Sequence, residues 1–487
     1  MANSSCLKNS KVHLDGGTYF FTVPFQKNGG IEIFHSDRET RSKMTRVTPA
    51  ETMNQMFSEK ARFQRWLNVE ASLARAQASL GIIPKEAAEA ISRKADVELL
   101  DLKKYKEMYQ QTAHPMVAML RLFTPVVEGG FGQYVHLGAT TQDIMDTSTM
   151  LALKGAHQVI YESLRRIELD LLNRAEQHAD TIMAGRTHSV QALPITFGYK
   201  VAVWAREIRR NIQRLKECGR RLFVAQFSGA VGTMAAFGPR GPEILALVSQ
   251  DLGLDVPDIC WHASRDRLAE FANLLALIGA ALGRIGQEVY LLMATEVGEV
   301  CEPWQKGLVG SSTMPHKINP QISQQMMSLA RKLRYNASFL MEVMIVDHER
   351  NLEHFIGEMD TLDESCCMMG ELLGYGEEMA RDMTVYPRRM EANLGILKGL
   401  MLSESVMIEL GKKIGKQTAH EVIYENATKA IKEELDFKQV LLSDARVSRH
   451  LTAADIDRLL NPVEYLGLAP HIARDAASLS RKEREQE

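Results

Sequence analysis

An all-α fold is what this sequence predicts, and two observations carry the prediction. Helical spacing of apolar residues recurs from residue 52 onward, whereas alternating runs of β-branched residues are nearly absent. The stretches 267–300 and 320–345 carry apolar residues around most of their circumference, and helices of that kind must be buried on nearly all sides. Long buried helices indicate a bundle, and 487 residues suffice for two or three domains.

The first long helix shows how the elements are delimited. Its apolar face is interrupted by the polar residues Glu70 and Gln77, Gly81 ends it, and Pro84 opens the next helix. The face itself consists of Phe63, Trp66, Leu67, Leu73 and Ala74. Further helical patterns cover 150–180, 197–225, 267–300, 320–345, 360–383 and 404–433.

Composition shifts predict the domain boundaries. Glycine pairs at 16–17 and 29–30 break up the start of the chain, which favours a loosely packed arm with one hairpin. Pro387 comes after a break in the helical pattern and separates the bundle from the C-terminal part of the chain. We therefore expect an irregular N-terminal arm (1–45), an N-terminal helical domain (46–137), a central helical-bundle domain (138–385) and a C-terminal helical domain (386–487).

Charge and cysteine usage narrow the function classes. The net charge of −3 offers no basic excess for nucleic acid or an anionic membrane, so we expect neither partner. Six cysteines without a CxxC pair or a His/Cys cluster indicate reduced thiols and no metal site, and the cytoplasm is the default location. The most apolar stretch, Leu274–Leu282, is too short to span a membrane and predicts a buried helix.

The segment GSSTMPHKINP (310–320) is the densest polar motif in the chain. Its glycine and prolines make it a loop. Such a loop can offer backbone N–H groups, a lysine and an asparagine to one carboxylate, which suits proton removal from the adjacent carbon. A phosphate-binding turn is the alternative, although the GxxxxGK[ST] spacing is absent, and a surface turn is another.

This segment closely resembles the signature loop of the fumarase/aspartase superfamily. Other segments resemble that family in the same order, over roughly residues 50–470: GATTQDIMDT (138–147), GRTHSVQALPITFG (185–198), SGAVGTMAAFG (228–238) and RDRLAEF (265–271). The resemblance implies a lyase that makes or breaks a C–N or C–O bond beside a carboxylate, commonly releasing fumarate. It also implies a homotetramer around a central twenty-helix bundle, with no cofactor and no metal.

The resemblance assigns catalytic roles to two residues. Ser311 matches the base that removes the proton, and His188 matches the general acid that protonates the leaving group. Lys317 and Asn319 match the residues that hold the carboxylate as it gains charge. A purely structural histidine is the alternative for His188.

Further polar residues are predicted to bind the substrate. They match the family's substrate-binding segments and are Thr112, His114, Thr140, Thr141, Gln142 and Thr187. Arg265 and Arg350 are candidates to clamp a second carboxylate, with a structural ion pair as the alternative for each. Gln324 stands where many relatives have a glutamate that polarises the acidic histidine, so it offers a hydrogen bond without charge.

Two branches of the family compete. Thr112, His114 and the Thr187-His188 pair resemble adenylosuccinate lyases, but residues 351–359 (NLEHFIGEM) lack the serine and arginine with which those enzymes hold a phosphate. WHASRDR (261–267) and the stretch 348–367 resemble 3-carboxy-cis,cis-muconate cycloisomerases. We expect a lyase acting on a small di- or tricarboxylate of the substituted succinate type. A lactone-forming cycloisomerase, an adenylosuccinate lyase and a recruited structural protein are the alternatives.

Overall fold

The structure is a computed structural model that describes residues 11–14, 17–20, 47–303, 313–314 and 316–487, with side chains from residue 47 onward except at 352–356. Ser311 and most of the predicted N-terminal arm lie outside these residues. The helices are α1 Pro49–Met56, α2 Glu59–Ser79, α3 Lys85–Lys94, α4 Leu102–Thr112, α5 Pro115–Phe123, α6 Thr141–Gln177, α7 Phe197–Leu222, α8 Gly241–Leu252, α9 Asp266–Leu292, α10 Gln321–Glu342, α11 Leu352–Asp382, α12 Pro387–Leu394, α13 Ser403–Ile414, α14 Lys416–Lys432, α15 Phe437–Ser443, α16 Ala445–Ser448, α17 Ala453–Leu459 and α18 Ala469–Glu485.

The all-α prediction is confirmed, whereas several predicted helix ends are wrong. Helix α6 begins at Thr141 rather than near 150, because the polar residues before 150 form its first turns. Helix α9 ends at Leu292 rather than at 300. The pattern over 404–433 is broken into α13 and α14 at Gly415, whose φ of 90° a helix cannot contain.

The chain folds into two compact units, each assembled from segments that are distant in sequence. Unit 1 comprises residues 1–164, 212–280 and 329–374, and unit 2 comprises 165–211, 281–328 and 375–487. The long helices α6, α7, α9, α10 and α11 each contribute one part to either unit. The division into four consecutive domains stays a prediction.

Each unit has its own apolar core. In unit 1, α2 packs against α3 and α8, and the buried ring of Phe63 lies 4.4 Å from that of Tyr105. In unit 2, the C-terminal helices α13 to α17 surround a cluster that includes Val406, Leu410 and Phe437. Since each core buries several large side chains, each unit presents a rigid frame to the polar residues at its helix ends.

Short antiparallel strand pairs complete the described fold. Strand β1 (Lys11–Leu14) pairs with β2 (Gly17–Phe20) within the predicted N-terminal arm, and β5 (Val300–Cys301) pairs with β6 (Thr384–Val385). The hairpin of β3 (Ile182–Thr187) and β4 (Val190–Thr196) is the element that the helical pattern of the sequence does not predict. Its two turn residues, His188 and Ser189, both have positive φ, as a type I′ turn requires.

Helix α9 contains an 18-residue window that is long and apolar enough to cross a membrane, but 67% of that window is buried inside the protein. A core helix of a folded domain shows this pattern. Other apolar side chains on the long helices stay exposed, and the most exposed of α10 is Tyr335, at 77%. Further exposed apolar side chains near it along the chain are Phe339, Met341 and Ile345.

Candidate active site

In unit 1, the ends of three helices bring predicted substrate-binding residues together. Helix α4 ends at Thr112, and His114 caps the start of α5. The His114 N–H donates to Thr112 Oγ1 at 3.4 Å, and His114 Nε2 lies 3.4 Å from Oγ1 of Thr141, the first residue of α6. Burial and the positive charge of Arg350 lower the pKa of His114 and so favour its neutral form.

Arg350 lies at the same cluster. Its Nη1 donates to Thr140 Oγ1 at 3.3 Å and its Nη2 donates to the Ala230 carbonyl at 2.7 Å. The side chain is exposed, and among the described residues no carboxylate pairs with it. We call Thr112, His114, Thr140, Thr141 and Arg350 the threonine–arginine cluster. It combines hydroxyl donors with one cation, which is the chemistry that a carboxylate needs.

The cluster is held by Asp143, a buried carboxylate that the sequence patterns do not single out. Asp143 accepts hydrogen bonds from the N–H groups of Thr140, Ser228 and Gly229, each at 3.0 Å. Its Oδ1 also lies 2.9 Å from Nε2 of His262. One side chain therefore joins the start of α6, the 228–229 turn and the segment before α9. Burial opposes the charged form of His262, but Asp143 outweighs it and raises the pKa of His262 to about 9.

The side chains of Gln142 and Arg265 are buried and bind other residues of the protein. Arg265 is 4% exposed, and its guanidinium donates two hydrogen bonds of 2.9 Å to Asp146 and two to Glu358, of which the one from Nε measures 2.9 Å. Its contacts are thus those of the structural ion pair. The Gln142 amide donates to Asp146 at 3.1 Å and to the His262 carbonyl at 3.2 Å. We assign both residues to the support of the cluster.

The polar interruptions on the apolar face of α2 are explained by their partners. Glu70 is 1% exposed and accepts the N–H of His136 at 3.0 Å, and its other oxygen lies 2.6 Å from His136 Nδ1. Gln77 donates to the Leu137 carbonyl at 2.8 Å. Both side chains therefore fix the segment that leads into Thr140. Burial lowers the pKa of His136, but the Glu70 carboxylate more than offsets this and raises it.

In unit 2, the turn of the β3–β4 hairpin carries Thr187 and His188, which are both exposed. The hairpin is fixed by Arg186, which donates to Glu299 at 2.9 and 2.7 Å. Glu299 is fully buried and also accepts a hydrogen bond of 2.8 Å from Asn393. His188 is thus exposed to solvent at the turn of a hairpin that the Arg186–Glu299 ion pair holds in place.

The signature segment is described only in part. Lys317 is exposed and its N–H donates to the Met314 carbonyl at 3.0 Å, whereas the Asn319 carbonyl accepts the Gln321 N–H at 2.9 Å. Glu302, before the segment, accepts from the N–H groups of Ile322 and Ser323 at 3.1 and 3.0 Å. The carboxylate of Glu302 therefore caps the start of α10. Because Glu302 precedes the signature segment and α10 follows it, this contact connects the two sides of the segment.

Gln324 lies on the first turn of α10 and is exposed. It lines a pocket of about 450 Å³ in unit 2. The other residues lining this pocket are Gln321, Ile322, Gln325, Ser328 and Tyr375. None of these side chains is an acid, so the pocket gives the protein no carboxylate in place of the family's usual glutamate.

Replacing Asp143 tests the support of the cluster. In Asp143→Asn, the amide can accept at one atom only, and the charged His262 loses its buried counter-ion. We expect the free energy of unfolding to fall by about 3 kcal/mol, measured by denaturant titration. The control Asp258→Asn removes an exposed carboxylate that pairs with Arg267, and should change stability by less than about 0.5 kcal/mol. Equal stability of both variants would contradict the assignment.

The sequence matches known protein families and proteins over most of its length. Residues 44–334 match a family described as Lyase, and residues 399–476 match one described as Adenylosuccinate lyase C-terminus. The N-acetyl-S-(2-succino)cysteine lyase of Dickeya dadantii is 40% identical over 86% of this chain and 92% of its own length. The adenylosuccinate lyase of Methanocaldococcus jannaschii is likewise 40% identical, over 86% of this chain and 92% of its own.

Solved structures show the same fold. The 3-carboxy-cis,cis-muconate lactonizing enzyme from Pseudomonas putida superposes with a TM-score of 0.83 at 36% identity, covering 88% of this chain and 97% of that chain. The fumarate lyase from Mesorhizobium sp. BNC1 gives 0.82 at 34% identity, with the same coverage. Family match, sequence identity and fold together show that this chain is an enzyme of the fumarase/aspartase superfamily of lyases.

Proposed function

We propose that this enzyme eliminates a leaving group from a substituted succinate and releases fumarate. The observation that carries the proposal is the threonine–arginine cluster of unit 1, in which Arg350 has no carboxylate partner among the described residues. Arg265 is neutralised by Asp146 and Glu358, so the cluster offers one cation, which suits one carboxylate. Lys317 and Asn319, by their match to the family, hold the other.

The chemistry that we propose is a stepwise movement of charge. Ser311 takes a proton from the carbon beside the carboxylate that Lys317 and Asn319 hold, and the C–H electron pair passes into that carboxylate as it becomes doubly charged. The pair then forms the C=C bond as the leaving group departs. His188 supplies the proton that a poor leaving group needs, and its exposed place on the hairpin turn supports this role.

The presence of Gln324 instead of a glutamate affects which leaving group we expect. Gln324 can offer a hydrogen bond to the histidine ring but no negative charge, so this position gives proton donation by His188 no electrostatic support. A thiol ionises near pH 8.5, so a thiolate departs with little help from an acid, unlike an amine or an alkoxide. We therefore place a thioether of succinate first among the substrates, and the Dickeya dadantii relative acts on a compound of that kind by its name.

Cycloisomerisation is the second candidate. It is favoured by the WHASRDR segment and by the 3-carboxy-cis,cis-muconate cycloisomerase of Pseudomonas aeruginosa, which is 39% identical over 86% of this chain and 92% of its own. The same base and carboxylate holders would serve, since adding an internal carboxylate to a double bond is the reverse of an elimination. Adenylosuccinate ranks third, because residues 351–359 contain no serine or arginine for its phosphate.

A substrate panel decides among these. N-acetyl-S-(2-succino)cysteine, adenylosuccinate and 3-carboxy-cis,cis-muconate are supplied in turn, and fumarate and lactone are quantified. We expect fumarate from the succinylated thiol, and turnover of adenylosuccinate at least about 10²-fold less efficient, since its phosphate stays unpaired. Efficient adenylosuccinate cleavage would contradict the proposal, and lactone formation alone would establish the second candidate.

Arg350 provides a test of the cluster. Arg350→Gln removes a charge-assisted hydrogen bond worth about 2 kcal/mol, so the substrate KM should rise by about 30-fold while the fold is retained. The matched control is Arg221→Gln, which breaks an exposed ion pair with Glu270 and should leave KM unchanged. Steady-state kinetics measure both variants. An unchanged KM in Arg350→Gln would remove this residue from substrate binding.

We also propose that the enzyme is a cytoplasmic homotetramer whose active sites combine segments from different subunits. The exposed apolar side chains of α10 support an interface, because a monomer rarely leaves Tyr335, Phe339 and Met341 all in water. The threonine–arginine cluster lies in unit 1 and His188 lies in unit 2.

Subunit mixing tests this assembly. With an amine leaving group, which needs a proton as it departs, Ser311→Ala and His188→Ala should each lower turnover by orders of magnitude, because each removes a proton-transfer group. After joint dissociation and reassociation, mixed oligomers should recover a measurable fraction of the wild-type activity. The two variants mixed without dissociation are the control. If mixed oligomers form and stay inactive, each site is built within a single chain.

A further inference from the structure

The buried amide of Gln142 has one polar atom that the contacts of the chain do not satisfy. Its nitrogen donates both of its hydrogens, to Asp146 at 3.1 Å and to the His262 carbonyl at 3.2 Å. Its oxygen, Oε1, is buried and has no hydrogen-bond partner among the residues that the structure describes. Turning the amide over would set this oxygen against two acceptors, so the orientation is fixed. A buried acceptor of this kind requires a donor.

Gln142 lines a small cavity of about 10 Å³ within unit 1. One water molecule requires a space of about 10 to 15 Å³ and two to four polar partners. Apart from Val343 and Val346, the described residues that line the cavity all carry polar side chains, and they are Gln142, His262, Arg265, Asn351 and Glu358. The cavity therefore suits a single molecule of the size of water and is too small for a substrate.

We propose that this cavity is the binding site of one ordered water molecule. The water donates one hydrogen bond to Gln142 Oε1 and the other to the buried carboxylate of Glu358, whose oxygens can accept more bonds than those from Arg265. It thereby bridges α6 and α11. A cation suits the cavity less well, because the positive guanidinium of Arg265 borders it and would repel a second positive charge.

The position of the water connects it to the threonine–arginine cluster. The segment between α10 and α11 borders the cavity with Val343 and Asn351, and Arg350 directly precedes Asn351. The Asn351 amide also donates to Asp347 at 2.8 Å, across the turn that carries Arg350. We therefore assign Gln142 as a positioning residue that acts on Arg350 through the water. This assignment rests on the proposed function, whereas the water site does not.

High-resolution crystal structures of the intact enzyme test the water site. We expect one peak of electron density at about 2.7 to 3.2 Å from Gln142 Oε1. A second crystal is soaked in rubidium chloride, because the anomalous signal of rubidium reveals a site for monovalent cations. Native density without a peak beside Oε1 would overturn the proposal. An anomalous peak at that place would also overturn it, since the occupant would then be a cation.

Val343→Ile separates the water from the other contacts of Gln142. Val343 is buried and borders the cavity, so an added methyl group takes the space of the water and leaves the Gln142 amide intact. The matched control is Val248→Ile, the same change at a buried valine of α8 that is outside the described lining.

The two isoleucine variants should differ in density and in kinetics. Val343→Ile should lose the density peak and raise the substrate KM by about fivefold, the effect of one lost hydrogen bond, whereas Val248→Ile should keep the peak and the wild-type KM. If Val343→Ile loses the peak but has the KM of the control, the link between the water and Arg350 is wrong.

Gln142→Met provides the same test if Val343→Ile does not fold. It removes the acceptor of the water at nearly constant side-chain volume, so the density peak should again be lost. The substrate KM should rise by a larger factor than kcat falls, because a positioning residue acts on binding and not on the reacting atoms. A peak that persists at the same place would show that Oε1 does not hold the water, contrary to the proposal.

These readouts let the water site and the proposed function fail separately. The density needs no substrate, so an enzyme that is inactive on the whole substrate panel can still hold the water. In that case the 2.7 Å contact between Arg350 and the Ala230 carbonyl should lengthen in crystals of Val343→Ile. Conversely, an enzyme that releases fumarate but shows no density beside Gln142 Oε1 retains its proposed function and lacks the water site.

Discussion

The buried carboxylate of Asp143 is the constraint on which the threonine–arginine cluster of unit 1 depends. A charge that is fully removed from water needs several donors at once, and Asp143 finds them in the N–H groups of Thr140, Ser228 and Gly229 and in the ring of His262. These donors come from three segments that are up to about 120 residues apart. Because the carboxylate is satisfied only when all of them converge, its burial selects a single arrangement of the loops.

Buried ion pairs likewise fix the arrangement of other segments, and the charged residues outside these pairs stay accessible to a ligand. Arg265 is neutralised by Asp146 and Glu358, and Arg186 by Glu299. Such pairs contribute little net stability, since desolvation offsets their attraction, but they fix the geometry of the segments that they join. Lys317, which matches a carboxylate holder of the family, and Arg350, a candidate to clamp a second carboxylate, are by contrast exposed. Burial thus separates supporting charges from those that can meet a ligand.

The sequence predicts the helices well where their apolar pattern is long. The break at Gly81 and Pro84 and the start of α12 at Pro387 are found where backbone chemistry demands them. The β3–β4 hairpin is not predicted, because its turn uses His188 and Ser189 instead of the Asn-Gly pair that commonly marks such turns. The supporting roles of Asp143 and Glu302 are not predicted for another reason. Their hydrogen-bond partners are distant in sequence, and no local sequence pattern indicates a contact between separate segments.

The candidate site residues share a position that periodicity alone cannot reveal, because nearly all of them stand at the end of an element. His114 precedes α5, Thr140 precedes α6, Asn319 lies just before α10, and Arg350 lies just before α11. A helix start exposes backbone N–H groups and carries a partial positive charge, so each of these places favours an anion. A substrate with two carboxylates, of which one gains a further charge as the adjacent proton leaves, is the kind of ligand that gains most from such positions. The rigid helices behind them keep these groups in place while that charge develops, which is why an all-α frame serves this chemistry.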